Sequence, residues 1–363
     1  MVKKMKRHFF KVLIPVFVLL LFGTCSDPIF HEISIEVPIV PPRIAGSPTN
    51  FAVYDGSMYV ATGNRLWRYN ETEKWNSESI NGRRILGLAA LGTYFYAICE
   101  ANNGRGVLLK KNSNTWEPVD VDGKNVQGIY VVNVDQVFAC VSASEGKYDV
   151  YNFETSVNSA GSSDKYLSSV AYLNGVVYNG SSYFLCTEKG IYKDNLPITD
   201  SSGINFAGII NLTSTITVAI ARNGNLYNVS ASSFSSASVG LGSNRRATGA
   251  LAIWTDGTDY LLLAGGDDLG YSVNSGFAYG YMELVFDSSG VITGNFKTPD
   301  GSGISTVTDD VSYNGTIGRN PIKHIFQAPA DIDSKKVIFA STQLNGVWSY
   351  RERGDKKQWN AER

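Results

Sequence analysis

The chain from residue 49 onward is dominated by alternating apolar and polar positions. Apolar or aromatic runs of about four to eight residues recur between clusters of Gly, Asn, Asp and Ser, and no amphipathic pattern of three helical turns interrupts them. One unit repeats within this pattern: an apolar run ending in a small residue, a polar turn, and a second apolar-aromatic run. Seven copies occupy residues 58–69, 96–111, 137–153, 183–195, 216–229, 261–273 and 337–352. Each copy predicts a β-hairpin.

Further apolar strands precede six of these hairpins, at 85–92, 128–134, 168–175, 206–212, 248–255 and 322–329. A short strand often follows, as at 115–121 and 358–362. A strand, a hairpin and a further strand make the four-stranded antiparallel blade of a β-propeller.

The small residues that end the first hairpin strand are Ala61, Cys99, Cys140, Cys186, Ala221, Ala264 and Ala340. They are 38, 41, 46, 35, 43 and 76 residues apart. The first five spacings are typical of propeller blades, and the last favours a sixth blade with long insertions. We therefore predict an all-β, seven-bladed β-propeller, with eight blades as the alternative.

The first 24 residues have the pattern of an export signal. Lys and Arg fill five of the positions from 3 to 11, and the apolar run 12–23 follows. That run is shorter than the roughly 20 residues that span a bilayer and fits a secretory signal. It ends in the word LFGTC at 21–25, which resembles the lipobox of bacterial lipoproteins. The resemblance implies that Cys25 is diacylated on its sulfur and becomes the mature N-terminus; an ordinary secreted protein or a short anchor helix is the alternative.

The segment after Cys25 is rich in proline, with Pro28, Pro38, Pro41, Pro42 and Pro48. This density disfavours a helix and favours an extended tether. The predicted organisation is a lipoprotein signal peptide at 1–24, a tether at 25–48 and the propeller at 49–363.

The charge balance excludes a general attraction to nucleic acid. The whole chain carries 32 basic and 33 acidic residues. Five of the basic residues lie in the signal, so the chain from Cys25 onward has 27 basic against 33 acidic residues, a net charge of −6. A mildly acidic surface does not favour a polyanion.

Three cysteines, Cys99, Cys140 and Cys186, occupy the small-residue position that other repeats fill with alanine. Free cysteine behaves as a small buried hydrophobe. We predict that all three pack in the core, because equivalent positions in adjacent blades are too far apart for a disulfide.

The sequence offers little catalytic chemistry. Its three histidines are His8 in the signal, His31 in the tether and His324 in the predicted innermost strand of the last blade. Neither a histidine-based metal cluster nor a nucleophile elbow can be assembled from them. Asp267–Asp268 and Asp309–Asp310 match no ion-binding loop. We expect no enzyme activity, no cofactor and no metal.

Two features remain as candidate binding sites. Long loops on rigid scaffolds often carry function, and the predicted insertion in blade six contains Tyr271, Phe277 and Tyr279. The other is a pair of twin arginines, Arg83–Arg84 and Arg245–Arg246, at the same register of blades two and six. Arginine can hold a carboxylate or phosphate with two hydrogen bonds.

The Gly-aromatic ending of the hairpins is similar to that of sialidase-type repeat propellers, although the Ser-x-Asp-x-Gly-x-Thr-Trp box of sialidases is absent. The leading hypothesis is a lipid-anchored, non-catalytic scaffold of the bacterial envelope, in the outer membrane, that binds a protein or glycan partner. The alternatives are a scaffold resembling the propeller lipoprotein of the outer-membrane barrel-insertion machine, and a sialidase-like or lactonase-like hydrolase.

Overall fold

Seven antiparallel β-sheets make up the computed structural model, and they follow one another along the chain. The structure describes residues 44–92, 94–121, 123–133, 136–154, 164–230, 233–241, 245–255, 260–268, 280–296, 317, 321–343, 345–353 and 356–362. Six sheets have four strands each, and the sixth sheet along the chain has three within these ranges. Helical structure in these ranges is limited to a 3-10 turn at Thr199–Ser201 and to the isolated position 317.

The strands of the first three blades are β1 (Ala52–Tyr54), β2 (Ser57–Thr62), β3 (Arg65–Asn70), β4 (Lys74–Ser79), β5 (Ile85–Leu91), β6 (Tyr94–Glu100), β7 (Gly106–Asn112), β8 (Thr115–Val119), β9 (Val126–Asn133), β10 (Gln136–Ser144), β11 (Lys147–Glu154) and β12 (Asp164–Val170). Blades four and five contain β13 (Leu173–Tyr178), β14 (Tyr183–Thr187), β15 (Gly190–Lys193), β16 (Leu196–Pro197), β17 (Phe206–Asn211), β18 (Thr217–Ala221), β19 (Asn225–Val229) and β20 (Phe234–Gly240). Blades six and seven contain β21 (Arg245–Thr255), β22 (Tyr260–Asp268), β23 (Gly280–Phe286), β24 (Ile322–Gln327), β25 (Ile338–Thr342), β26 (Val347–Arg353) and β27 (Lys356–Ala361).

Seven hydrophobic clusters hold the sheets together, one between each pair of neighbouring blades. The seventh cluster joins the last blade to the first, so the sheets form a closed ring. This arrangement is a seven-bladed β-propeller, and it confirms the predicted fold class against the alternative of eight blades. Among the residues described, no helix has the length and apolar character to cross a membrane.

Backbone and side-chain contacts both close the ring in the part of the chain that the structure describes. Residues 44–46 lie beside the start of β26, where Gly346 N donates to Gly46 O at 2.9 Å and Val347 N donates to Ile44 O at 3.1 Å. All four strands of blade seven come from residues 322–361. The ring of Phe51 stacks on Phe326 at 5.9 Å between centroids. The Tyr69 hydroxyl donates to Asp333 Oδ2 at 2.6 Å, and Trp75 Nε1 donates to Glu362 Oε2 at 2.5 Å. Both carboxylates are buried, so their hydrogen bonds help to join the first blade to the last.

The innermost strands of blades two to five share a β-bulge. In each, the regular pairing is interrupted between the first paired apolar residue and the residue two positions later. Glycine fills that position in blades two to five, as Gly87, Gly128, Gly175 and Gly208. The added Cβ would lie 3.0 Å from Ile209 Cγ2 at Gly175 and 3.0 Å from the Gly249 carbonyl oxygen at Gly208. The inner strands of blades four, five and six therefore approach each other too closely at these positions for most side chains.

Three details of the predicted repeat were wrong. In blade six, the strand that pairs with β22 is β23, which begins at Gly280, rather than a strand within 261–273. The expected inner strand at 168–175 spans a blade boundary: β12 is the outer strand of blade three, and the inner strand of blade four is β13. The small-residue positions are also not equivalent. Ala61, Cys140 and Cys186 pack toward the next blade, whereas Cys99 packs toward the preceding one. A one-residue change in strand register moves a side chain to the other face of a sheet, and spacing alone does not reveal it.

Candidate functional site: a lysine pair on blade three

One end of the ring carries both the loops between second and third strands and the loops that lead into the next inner strand. We call this end the loop face. Backbone bonds link the two loop types directly: Ile85 N donates to Gly63 O at 2.7 Å, and Gly203 N donates to Lys189 O at 3.0 Å. The loop face is therefore a continuous surface supported by rigid sheets.

Some basic residues of the loop face act as links between blades. Arg105 Nη2 donates to the Gly123 carbonyl at 2.5 Å, and Arg222 Nη1 donates to the Ala247 carbonyl at 3.2 Å. Each guanidinium reaches the backbone of the following blade. These contacts give both arginines a structural role.

A different arrangement surrounds Asp149, near the loop-face end of β11. Lys124 Nζ lies 3.3 Å and Lys165 Nζ lies 2.9 Å from the same oxygen, Asp149 Oδ2. Lys124 also donates to the Tyr151 hydroxyl at 2.5 Å. The ammonium groups of Lys124 and Lys165 lie 4.9 Å and 6.0 Å from the centre of the Tyr151 ring. The two cations are thus close neighbours, held by one carboxylate and one aromatic ring.

Irregular pairing between β11 and β12 creates this cluster. The register shifts twice, between Tyr148 and Val150 and between Val150 and Tyr151. Ser169 has a φ of 53°, and its backbone N–H donates to Asp149 Oδ1 at 3.0 Å. A bulge re-aims side chains. Here Asp149 receives a backbone donor on one oxygen and both lysines on the other.

The electrostatics of the cluster favour the charged forms. Burial acts to raise the pKa of Asp149, but the hydrogen bonds from Lys165, Ser169 and Lys124 outweigh it, so the pKa lies below its usual value. The hydrogen bond to Tyr151 and the Asp149 carboxylate raise the pKa of Lys124. The cluster therefore contains two positive charges and one negative charge at neutral pH.

Solvent reaches the cations but hardly reaches the carboxylate. The side chains of Lys124 and Lys165 are 30% and 43% exposed, whereas that of Asp149 is 6% exposed. A molecule approaching the loop face therefore meets two ammonium groups that the protein already holds in place. Such an arrangement can bind an anionic group.

Two tyrosines flank the cluster on the opposite face of β11. Tyr148 and Tyr172 pack edge to face at 5.1 Å between ring centroids, and both are half-buried. The Tyr172 hydroxyl donates to the Gln127 carbonyl at 3.1 Å. Blade three thus presents amphipathic rings on one side and cations on the other.

The twin arginines lie at the loop-face ends of two blades that are not neighbours. Arg84 Nη1 is 3.7 Å from Glu100 Oε2, with both side chains exposed, and Arg83 is half-buried. In blade six, the backbones of Arg245 and Arg246 pair with Asp268 and Asp267. Blades two and six do not share a cluster, so the structure does not bring the four arginines together. Their role in binding stays a prediction.

The other predicted site residues lie outside the described residues. These are Cys25 of the lipobox, and Tyr271, Phe277 and Tyr279 of the insertion in blade six.

The remaining reactive groups are buried. Cys99, Cys140 and Cys186 are free thiols in the core, as the sequence predicted. Burial raises the pKa of Cys99 and Cys140 to about 11 and raises that of Cys186 further. Burial and the Lys323 charge lower the pKa of His324 to about 4. Over the described ranges, no three His, Cys, Asp or Glu side chains come together as a metal site would require.

The sequence pattern does not distinguish Lys124 and Lys165 from the other charged residues of the loops. The available signal was Asp149, an acid between the aromatic and β-branched residues of Tyr148-Asp149-Val150-Tyr151. A carboxylate at such a strand position needs partners when it is buried. The identity of those partners depends on the bulge.

The fold and this surface define the chain as a seven-bladed β-propeller with an exposed lysine pair on its loop face. Comparison with solved structures agrees on the fold. YCF48 bound to D1 peptide aligns with a TM-score of 0.55 and 9% identity over 87% of this chain and 95% of that one. Streptogramin B lyase aligns with a TM-score of 0.50 and 8% identity over the same shares of the two chains.

A third similar structure is the extracellular domain of the hybrid two-component system BT4673 from B. thetaiotaomicron. It has a TM-score of 0.48 and 13% identity over 85% of this chain, which spans 38% of that longer chain. No protein-family model and no curated protein matches the sequence. At these identities the comparisons establish a propeller fold and nothing finer.

Proposed function

We propose that the chain is a lipid-anchored propeller of the bacterial envelope that binds a protein partner through its loop face and has no catalytic role. The observation that carries the proposal is the partly exposed Lys124–Lys165 pair beside the buried Asp149 carboxylate. A propeller supplies a rigid frame on which loops can bind other molecules. The complex of YCF48 with a D1 peptide supports peptide binding by a chain of this fold.

The chemistry of the buried groups supports a non-catalytic role. A thiol acts as a nucleophile in its thiolate form, and burial raises the pKa of Cys99, Cys140 and Cys186. His324 is held neutral in the inner strand of blade seven. In this proposal, the thiols and His324 contribute to the packing of the core and take no part in a reaction.

The anchor is supported by the lipobox resemblance at 21–25. Each buried methylene of an acyl chain contributes about 0.8 kcal/mol of membrane affinity, so two or more chains hold a protein stably on a bilayer. In this proposal the membrane is the outer membrane, and the propeller lies beyond the tether that follows Cys25.

A single experiment tests the anchor and the partner together. The full chain is expressed in bacteria fed with a labelled fatty acid, recovered from the membrane fraction and analysed for bound envelope proteins. We expect labelled protein in the membrane fraction with a specific protein partner. In the Cys25→Ala variant we expect loss of the label and of membrane retention, whereas the Cys99→Ala variant keeps both.

Two results would contradict the proposal. Recovery of an unlabelled wild-type chain in the soluble fraction would contradict the lipid anchor. Turnover of a glycoside or lactone by the purified chain would replace the binding role with an enzymatic one.

A further inference from the structure

The Lys124–Lys165 pair has more positive charge than the burial of Asp149 requires. One lysine together with the Ser169 N–H would already satisfy a single buried carboxylate. Both ammonium groups instead contact the same oxygen, Asp149 Oδ2, and leave the cluster with one excess positive charge. Exposed lysines usually lose side-chain entropy when they bind a ligand. Here Asp149 and Tyr151 have already restricted both side chains.

We propose that this pair, the blade-three lysine site, binds a carboxylate from an acidic segment of a protein partner. The inference rests on the proposed binding role and names the chemical class of the partner. Each ammonium has three donor hydrogens, so hydrogens remain on both lysines after the contacts to Asp149 and Tyr151. One incoming carboxylate can accept from both lysines and balance the excess charge.

A carboxylate fits this site better than a phosphate group. Phosphate recognition commonly uses arginine forks or backbone N–H groups at a helix N-terminus, and the blade-three lysine site is built from lysines and one tyrosine. The cluster has one excess positive charge, which a single carboxylate balances, whereas a phosphate dianion would leave one uncompensated negative charge near Asp149. A monoanion is therefore the better electrostatic match.

A peptide segment fits the surroundings of the site. Tyr148 and Tyr172 lie across β11 from the lysines and offer half-buried aromatic surface. Residues 143–147 of the adjoining hairpin are exposed. An acidic peptide crossing the loop-face end of blade three would place its carboxylate on the lysines and its neighbouring residues near the tyrosine pair.

Fluorescence anisotropy on the purified full chain tests the proposal. The probe is a fluorescein-labelled hexaglutamate peptide at low ionic strength, with the matching hexaglutamine peptide as the neutral control. We expect saturable binding of hexaglutamate that weakens with added salt and no binding of hexaglutamine. Inorganic phosphate at equal ionic strength should compete no better than chloride.

Two matched variants localise the binding. Lys165→Gln leaves Asp149 paired with Lys124 and Ser169, so the fold should persist, and we expect about fivefold weaker binding of hexaglutamate. Lys336→Gln removes the same charge from an exposed position in the turn between β24 and β25, at the opposite end of the sheets, and should bind within about twofold of wild type. Lys165→Arg retains the charge and should restore binding.

Equal weakening by Lys165→Gln and Lys336→Gln would overturn the proposal in favour of general surface charge. Specific competition by phosphate would contradict the assignment of the ligand as a carboxylate. An absence of hexaglutamate binding by the folded wild-type chain would show that the lysine pair is not a binding site for acidic peptides. None of these outcomes would contradict the recovery of an envelope protein with the lipid-labelled chain, which tests the proposed function separately. The failure of this inference is therefore distinguishable from the failure of the proposed function.

Discussion

At the scale of single residues, burial determines which reactive groups of this chain can act in solution. The side chains of Lys124 and Lys165 are partly exposed, while burial raises the pKa of the thiols and lowers that of His324. Desolvation disfavours the charged form of every buried group, so it raises the pKa of a thiol and lowers that of an imidazole. Reactive residue types in the sequence are therefore a poor guide to reactive groups in the structure.

His324 makes the stability of the fold depend on pH. Its pKa is about 4 in the folded chain and about 6.5 in an unfolded chain, so the unfolded state binds more protons between these values. We expect this group to lower the free energy of unfolding by about 1–2 kcal/mol between pH 7 and pH 5. Chemical denaturation at the two pH values measures the change.

The His324→Asn variant should lose that part of the pH dependence, while His31→Asn, in the predicted tether, should retain it. An identical pH dependence in the wild type and in His324→Asn would show that the imidazole titrates normally in the fold.

At the scale of elements, the sequence predicts the hairpins well and the inner strands less well. The hairpin of blade four at 183–195 corresponds to β14 and β15, because its alternation and its Gly-aromatic ending are local features. The inner strand of blade four was misplaced, because β12 and β13 are separated by two residues and their sequences form one continuous pattern. A clear turn signal is missing at that boundary.

A local sequence motif that marks the start of an inner strand is an apolar residue, any residue and then glycine, at the inner bulge. It occurs at 85–87, 126–128, 173–175, 206–208 and, with alanine first, at 247–249. Blade seven has Ile322-Lys323-His324 at the same place. Close packing of neighbouring inner strands explains the glycines at 175, 208 and 249, and that packing is a property of the ring.

Two glycines at this position should respond differently to substitution. Gly249 has a φ of +93°, and an added Cβ would overlap the Ala207 carbonyl oxygen. At Gly87 the nearest atoms would be Ile98 Cδ1 at 3.7 Å and Asn50 Oδ1 at 3.9 Å. We expect Gly249→Ala to destabilise the fold by about 2–4 kcal/mol and Gly87→Ala to change it by less than about 1 kcal/mol.

Denaturant midpoints of the two alanine variants measure the difference. Equal stability of the two variants would contradict the close approach of the inner strands of blades five and six.

At the scale of the whole molecule, the sequence predicts the ring but not the site. Seven repeats and their spacing predict seven blades, because each blade must bury its faces against its neighbours. The blade-three lysine site combines Lys124, from the loop after blade two, with two strands of blade three. Its geometry depends on the β11–β12 bulge and on the packing of two blades. The twin arginines, in contrast, share a sequence register and lie in blades without a common interface.

Binding through the loop face is the central claim, and photo-crosslinking in living cells tests it most directly. A photoreactive residue is placed at Glu145 or Lys189 on the loop face, and at Thr72 or Asn114 in turns at the opposite end of the sheets; all four positions are exposed. We expect the first two positions to crosslink one common envelope protein and the last two to give none. Crosslinks to that protein from Thr72 or Asn114, with none from Glu145 and Lys189, would contradict binding through the loop face.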